Sequence, residues 1–342
     1  MKAVIMAGGE GTRLKAVTGA TPKPMTPLLG RPMLEHILLL LKREGFTDIC
    51  MTLKYRPEDI MDYFADGRDW GVRVQYRVER EARGTAGGVK ACADFYGGED
   101  FLVISGDAAC DMPLAALMAR HRAADAAATL ALCRRSEPTS FGLAVTDAQG
   151  RIHSFIEKPQ WPRVVTDLVN TGIYVLSPRA MDYVPEGAPY DFARELFPLL
   201  LRRGETLIGH DAGGYWCDVG TPLSYYRCCV DALEGRLRLN MGEAFRPRAG
   251  ERPPAQAQEA CTRSLICPCN DRAALMGTLS EFMLDLGADY SDGLRLYGAG
   301  YALHISPLEE RAAVRVAVAS PDAEFAESLA LSAKELIDAL AL

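Results

Sequence analysis

The first 95 residues alternate between apolar runs of strand length and apolar stripes at helical spacing, and no other feature restricts the fold as tightly. Lys2–Ala7 (KAVIMA), Asp48–Leu53 (DICMTL) and Val72–Tyr76 read as strands. Pro32–Arg43 places Leu34, Ile37, Leu38 and Leu41 on one helical face, with Gly45 as its stop signal, and Pro57–Phe64 and Thr85–Phe95 read as two further helices. This βαβαβα order predicts an α/β fold with a mostly parallel sheet, helices on both faces, and ligands beyond the carboxyl ends of the strands. Phe101–Ser105 and Ala128–Cys133 continue it, separated by an alanine-rich helix that starts after Asp111-Met112-Pro113 and runs to about Ala124.

Directly after the first strand, Gly8, Gly9 and Gly11 fall within four residues, so the strand must stop and a loop begin. Glycine lets backbone N–H groups approach a ligand closely, and a run of such groups makes a nest for phosphate oxygens. Arg13 adds a planar cation suited to phosphate, and Lys23 is stiffened between Pro22 and Pro24. The spacing is neither GxGxxG nor a Walker loop. A glycine-rich turn beside two surface cations would explain the glycines alone but not the whole constellation.

Further along, Phe141–Thr146, Ile152–Glu157 and Asn170–Leu176 predict a more antiparallel lobe, Asp191–Arg203 an amphipathic helix, Trp216 a core position and Pro222–Glu234 a closing helix. Phe245–Gln258 is rich in Pro, Arg and Gln and reads as a linker. Leu265–Cys267, Asp271–Leu286, Leu294–Tyr297, Tyr301–Ile305, Val314–Ala319 and Asp322–Leu340 then form a small α+β unit of order βαβββα. With 342 residues, two domains are expected: 1–240 and 260–342, joined by a linker at 241–259. A net charge of -7 gives no global attraction for nucleic acid, so anionic ligands need local cations. The start lacks signal-peptide character and no apolar run spans a bilayer, so a cytoplasmic protein without a membrane partner is expected. None of the ten cysteines shows CxxC spacing, and they are assigned to the core rather than to a metal.

The run from Gly8 to Leu14, with Gly8, Gly9, Gly11, Thr12 and Arg13, followed by Pro22-Lys23-Pro24, resembles the GGxGTRL and PKP signature of the sugar-phosphate nucleotidylyltransferases. Lys15-Ala16-Val17 departs from the segment common in relatives. The resemblance implies a Rossmann-like nucleotidyltransferase domain whose nucleotide contacts are Ala7, Gly8, Gly9, Gly11, Thr12, Arg13, Glu79, Gly84, Thr85, Ala86 and Gly106. It also implies a sugar-phosphate site at Glu157 and Lys158 (the EKP motif) and at Asn170, Thr171 and Gly172 (the NTG motif). Asp107, in SGD, and Asp218 match the family's two metal aspartates, which implies Mg²⁺. Arg13, Lys23, Asp107 and Asp218 are the implied catalytic set.

Glu79 to Gly88 (EREARGTAGG) resembles the family's base-recognition loop, with Ala82-Arg83 replacing a common Pro-Leu. A carboxylate such as Glu79 can accept both adjacent donors of a guanine edge, whereas uracil and thymine offer one donor between two acceptors. Base specificity therefore leans towards GTP, and the resemblance implies mannose 1-phosphate as the sugar substrate. UTP, dTTP or CTP with another sugar phosphate is the alternative within the class. The last unit resembles the C-terminal domain of α-phosphohexomutases, with Asp292-Gly293-Leu294-Arg295 matching, but the arginine and glycine of the phosphate loop are absent around His304–Glu309. No phosphoserine loop or mutase metal loop is present, so no mutase activity is expected. The chain as a whole is similar to the fused mannose-1-phosphate guanylyltransferase/phosphomannomutase proteins, shortened. A non-catalytic nucleotide-sugar sensor is the rival from another class, and a homodimer or higher homo-oligomer is expected through the appended unit.

Overall fold

The computed structural model describes residues 1–11, 14, 20–239, 261–283, 293–298, 301–308 and 311–340. Thr12, Arg13, the Lys15-Ala16-Val17 segment and the linker lie outside the described residues. Two compact units emerge: Met1–Glu10 with Leu34–Asp218, and Gly11–Met33 with Val219–Leu342.

In chain order the strands are β1 (Lys2–Met6), β2 (Pro27–Leu28), β3 (Arg31–Pro32), β4 (Asp48–Leu53), β5 (Arg73–Val78), β6 (Phe101–Ser105), β7 (Ala108–Cys110), β8 (Ala128–Arg134), β9 (Gly142–Thr146), β10 (Ile152–Glu157), β11 (Leu168–Leu176), β12 (Leu207–Asp211) and β13 (Trp216–Asp218). In the C-terminal region, β14 (Cys261–Pro268), β15 (Leu294–Gly298), β16 (Tyr301–Pro307) and β17 (Ala313–Ser320) follow.

The first unit is built on one nine-stranded sheet in which β10, β9, β11, β6, β1, β4 and β5 follow each other, with β8 pairing β11 and β12. β1 lies parallel between β4 and β6, and β5 extends the parallel part, as the alternation predicts. β11 runs antiparallel to β6, so the antiparallel strands continue the same sheet rather than forming a separate lobe. Ala3, Val4, Ile5, Leu102, Val103 and Ile104 are fully buried, which is why their runs read as continuous apolar strands.

The helix Met33–Arg43 buries Leu34, Ile37, Leu38 and Leu41 and stops at Gly45, whose φ of +84° is left-handed. The expected helix over 85–95 is two pieces, Gly84–Lys90 and Ala93–Tyr96. The expected helix over 191–203 is a π turn, Phe192–Leu196, followed by Phe197–Arg202. Pro198 lacks the N–H that a regular α turn would use there, which accounts for the wide turn ahead of it.

In the second unit, the Lys23–Met25 turn and the β2·β3 hairpin share a unit with the helix Pro222–Leu233 and the C-terminal region. The Tyr225 hydroxyl donates to the Pro27 carbonyl at 2.7 Å and lies 3.5 Å from Glu335 Oε2. The C-terminal sheet has the order β14-β17-β16-β15, wholly antiparallel, with helices Arg272–Met283 and Ala323–Leu340, so the expected βαβββα order holds. Leu294, Leu296, Leu303, Ile305, Val314, Val316 and Val318 are all buried on one face. No helix among the described residues is long and apolar enough to cross a membrane.

Candidate active site

The carboxyl end of β1 is the anchor. Met6 is level with Thr52 of β4 and Ser105 of β6, so Ala7 and Gly8 leave the sheet between two other strand ends. A side chain at Gly8 would press on Lys54 Cβ at 3.3 Å, whereas Gly9 faces open space. Gly106 donates its N–H to the Met6 carbonyl at 2.8 Å, and a Cβ there would lie 3.1 Å from Ala7 Cβ. The glycines thus let two strand ends converge while leaving backbone open at Gly9. In the second unit, Gly11 has φ +68°, and a Cβ there would collide with the Lys23 chain at 2.5 Å. Lys23 is buried in the Lys23–Met25 turn, which Pro22 closes by accepting from the Met25 N–H at 2.8 Å.

Both aspartates come to the same ribbon. β7 follows Asp107 directly and pairs antiparallel with β13, placing Asp218 across from Ala108. Two carboxylates far apart in sequence therefore end one short two-stranded sheet. Ser105 Oγ donates to Asp107 Oδ1. The other end of the ribbon is closed by Asp111, which is buried, accepts the Tyr215 N–H on Oδ1 at 2.7 Å and donates its own N–H to the Tyr215 carbonyl at 3.1 Å. Arg135 donates to the Trp216 carbonyl, its guanidinium 5.4 Å from the centroid of the Trp216 ring. Trp216 is 4% exposed and meets Phe141 edge-on at 5.5 Å, in keeping with a core position.

The donor chemistry of the aspartate pair fits Mg²⁺. Carboxylate oxygens are the hard ligands it prefers, and it is ordinarily held by one or two of them with substrate phosphates and water completing the shell. Among the described residues there is no cluster of three or more His, Cys, Asp or Glu that would make an all-protein cage.

The sugar-site candidates lie on β10 and β11. Glu157 ends β10 opposite Gly142, where any side chain would meet Glu157 Oε2 at 2.8 Å. Burial, and secondarily the Asp191 carboxylate, push the Glu157 carboxyl above its ordinary value, against the pull of Lys158. Lys158 is exposed and has φ +42°, a left-handed backbone that costs a non-glycine residue about 1–2 kcal/mol. Strain of this kind collects at functional turns. On β11 the pairing with β8 shifts between Asn170 and Tyr174. Asn170 donates to the Tyr174 hydroxyl at 3.0 Å and accepts the Gly172 N–H at 3.1 Å. Gly172 has φ +78°, and a Cβ there would lie 3.6 Å from Ser105 Cβ, which brings this segment beside the Ser105–Asp107 bond. Thr171, by contrast, is buried and donates to the Ala131 carbonyl at 2.7 Å.

The loop from Glu79 to Gly88 is fastened to a segment the sequence does not mark. The Tyr190 carbonyl accepts the Ala86 and Gly87 N–H groups at 2.9 and 3.1 Å, and the Tyr190 N–H donates to the Arg83 carbonyl at 2.9 Å. A Cβ at Gly84 would be 2.5 Å from the Tyr190 oxygen, and one at Gly87 2.7 Å from the Ala188 oxygen. Thr85 Oγ1 donates to Asp191 Oδ2 at 2.9 Å and accepts the Phe192 N–H at 3.0 Å. Glu79 accepts the Arg83 N–H on Oε2 at 3.3 Å, its Oε1 close to Gly88, and partial burial raises its carboxyl above the ordinary range. Asp111, Arg135, Tyr190 and Asp191 are the structural partners that motif reading missed.

A glycine-rich turn, two aspartates brought to one end of the same short ribbon and a mixed sheet that is parallel at its centre define a nucleotide-handling α/β protein. The Nucleotidyl transferase family matches residues 2–235, and the chain belongs to that family. It is 35% identical over 298 residues to the Mannose-1-phosphate guanylyltransferase of Mycobacterium tuberculosis, covering 87% of this chain and 78% of that protein. It is 34% identical over 253 residues to the UTP–glucose-1-phosphate uridylyltransferase of Synechocystis, covering 70% of this chain and 65% of that protein, so it spans less than two thirds of the second relative's length. Among solved structures, HddC from Yersinia pseudotuberculosis complexed with GMP-PN superposes with a TM-score of 0.59 at 27% identity, over 68% of this chain and 99% of that one.

Proposed function

We propose that the chain is a magnesium-dependent nucleotidylyltransferase that joins an NTP to a sugar 1-phosphate, releasing pyrophosphate, with GTP and mannose 1-phosphate as its preferred pair. The observation that carries this reading is the β7·β13 register, which sets Asp218 opposite the residue after Asp107. A phosphate oxygen of the sugar attacks the α-phosphorus in line with the departing pyrophosphate, so the protein's task is positioning and charge neutralisation. Asp107 and Asp218 would hold Mg²⁺, which when bound neutralises charge on the α-phosphate. The open backbone at Gly9 suits phosphate oxygens, and Arg13 and Lys23 balance the pyrophosphate. Lys158 holds the sugar phosphate, while Glu157 and Asn170 accept and donate to sugar hydroxyls.

At the base loop, Ala86, Gly87 and Thr85 are bonded to Tyr190 and Asp191, so this loop contributes shape; Glu79, which accepts the Arg83 N–H on Oε2, is the carboxylate that would also accept from a base edge. That favours guanine, as does the resemblance to the mycobacterial guanylyltransferase; the cyanobacterial relative keeps UTP with glucose 1-phosphate as the competing pair. The test is pyrophosphate release across a matrix of NTPs and sugar 1-phosphates. Highest kcat/KM for GTP with mannose 1-phosphate is expected; no turnover with any pair would favour a non-catalytic binding protein.

A further inference from the structure

We propose that Asp191 is a positioning residue that couples the nucleotide loop to the sugar-phosphate strand, an inference that rests on reading this site as a nucleotidylyltransferase centre. One Asp191 carboxylate ties the nucleotide loop to the turn that follows it, and the rings of that segment pack against the sugar-phosphate strands. Oδ2 takes the hydroxyl of Thr85 in the nucleotide loop, while Oδ1 accepts the N–H groups of Ala193 and Arg194 at 2.9 and 3.0 Å, capping the turn Phe192–Leu196. The Asp191 N–H in turn donates to Glu195 Oε2 at 2.8 Å, so the cap is locked from both ends.

From that turn the contact passes through rings. Phe192 and Phe197 lie 5.1 and 5.0 Å from Tyr174, whose hydroxyl accepts from Asn170, and Phe197 lies 5.6 Å from Phe155. Phe155 is on the same face of β10 as Glu157, and both sit over Gly142. A shift of the Thr85–Asp191 bond therefore reaches Asn170 and Glu157 through packed, discrete contacts, the physical form a coupling between two subsites requires. The Asp191 carboxylate also acts directly on Glu157 through its field.

The test uses the full chain with Thr85→Val, which removes the hydroxyl that bonds Asp191 Oδ2 and the Phe192 N–H while leaving Asp191 and its bonds to Ala193 and Arg194 in place, and Thr85→Ser as the conservative control. Amide hydrogen exchange and steady-state kinetics are both read. Coupling of ordinary size predicts about tenfold faster exchange at Gly172 and about tenfold higher KM for the sugar 1-phosphate, although Thr85 lies in the nucleotide loop. Thr85→Ser should restore both. Unchanged exchange at Gly172, or faster exchange confined to Ala193 and Arg194, reduces Asp191 to a local helix cap and overturns the proposal. A rise in KM for the NTP alone does the same. A wild-type chain that turns over nothing overturns the functional reading instead, while the exchange measurement still decides the coupling.

Discussion

Removing the brace at the far end of the aspartate ribbon should cost both stability and turnover. β7 and β13 pair over three residues each, too few to hold register unaided, and Asp111 closes them by accepting the Tyr215 N–H at 2.7 Å. Gly214, at φ +77°, could not carry a side chain there, because its Cβ would lie 2.8 Å from Asp111 Oδ1. Asp111→Ala deletes a hydrogen bond to a charged acceptor, worth about 1.5–3 kcal/mol, and leaves the Tyr215 N–H without it. About 2 kcal/mol corresponds to a fall in Tm of roughly 4–8 °C for a unit of this size. If the loosened ribbon lets Asp218 drift by about 1 Å, kcat should drop on the order of 100-fold. Asp111→Asn keeps an acceptor oxygen and should stay much closer to wild type in both respects. Thermal unfolding and pyrophosphate release measure the two effects separately. An Asp111→Ala protein with the expected fall in Tm but wild-type kcat would show that the ribbon does not set the position of Asp218.

Asp218→Asn should fold normally and be nearly inactive, since it replaces one of the two carboxylates that would bind the cation with a neutral amide; wild-type turnover would remove Asp218 from the centre. Glu79→Gln keeps an oxygen for the Arg83 N–H but presents a donor to one of guanine's donors, a mismatch of about 1–3 kcal/mol, so the preference for GTP over UTP should fall about tenfold; an unchanged ratio places base recognition elsewhere. Because burial raises the Glu157 carboxyl, the acceptor is lost as pH falls through a range above that of ordinary carboxylates, so kcat/KM for the sugar 1-phosphate should decline early on acidification. Glu157→Gln should lower the overall rate and abolish that early decline; an identical profile would assign it to another group. Ending the chain at Glu243 removes Glu335 from Tyr225 and the C-terminal sheet from the second unit, so Tm should fall while pyrophosphate release stays measurable. Unchanged stability, or mannose 1-phosphate to mannose 6-phosphate interconversion by the full chain, would refute this structural role.

Where burial is continuous or strictly periodic, the residues announce their own structure. β1, β4 and β6 each carry a buried apolar run, Ala3–Ile5, Ile49–Met51 and Phe101–Ile104, because both faces of the sheet are covered, and the C-terminal strands alternate because only one face is. The ribbon that unites the aspartates carries no such signal. β7 is three residues long, too short to show a period, and its partner lies more than 100 residues further on, so no local pattern announces the pairing, and Asp107 and Asp218 are linked in the sequence only by motif resemblance. The base loop hides its architecture for a different reason. A backbone that must lie close to a ligand and one that must lie close to another segment of chain make the same demand, the absence of Cβ. Gly84 and Gly87 meet that demand for Tyr190 and Ala188, and Thr85 spends its hydroxyl on Asp191, so residues whose pattern suggests direct ligand contact first serve to fasten the loop. Gly9 is the contrasting case, a glycine with no neighbour within 4 Å among the described residues, and under the proposed function that position after β1 is where a phosphate oxygen would approach the backbone.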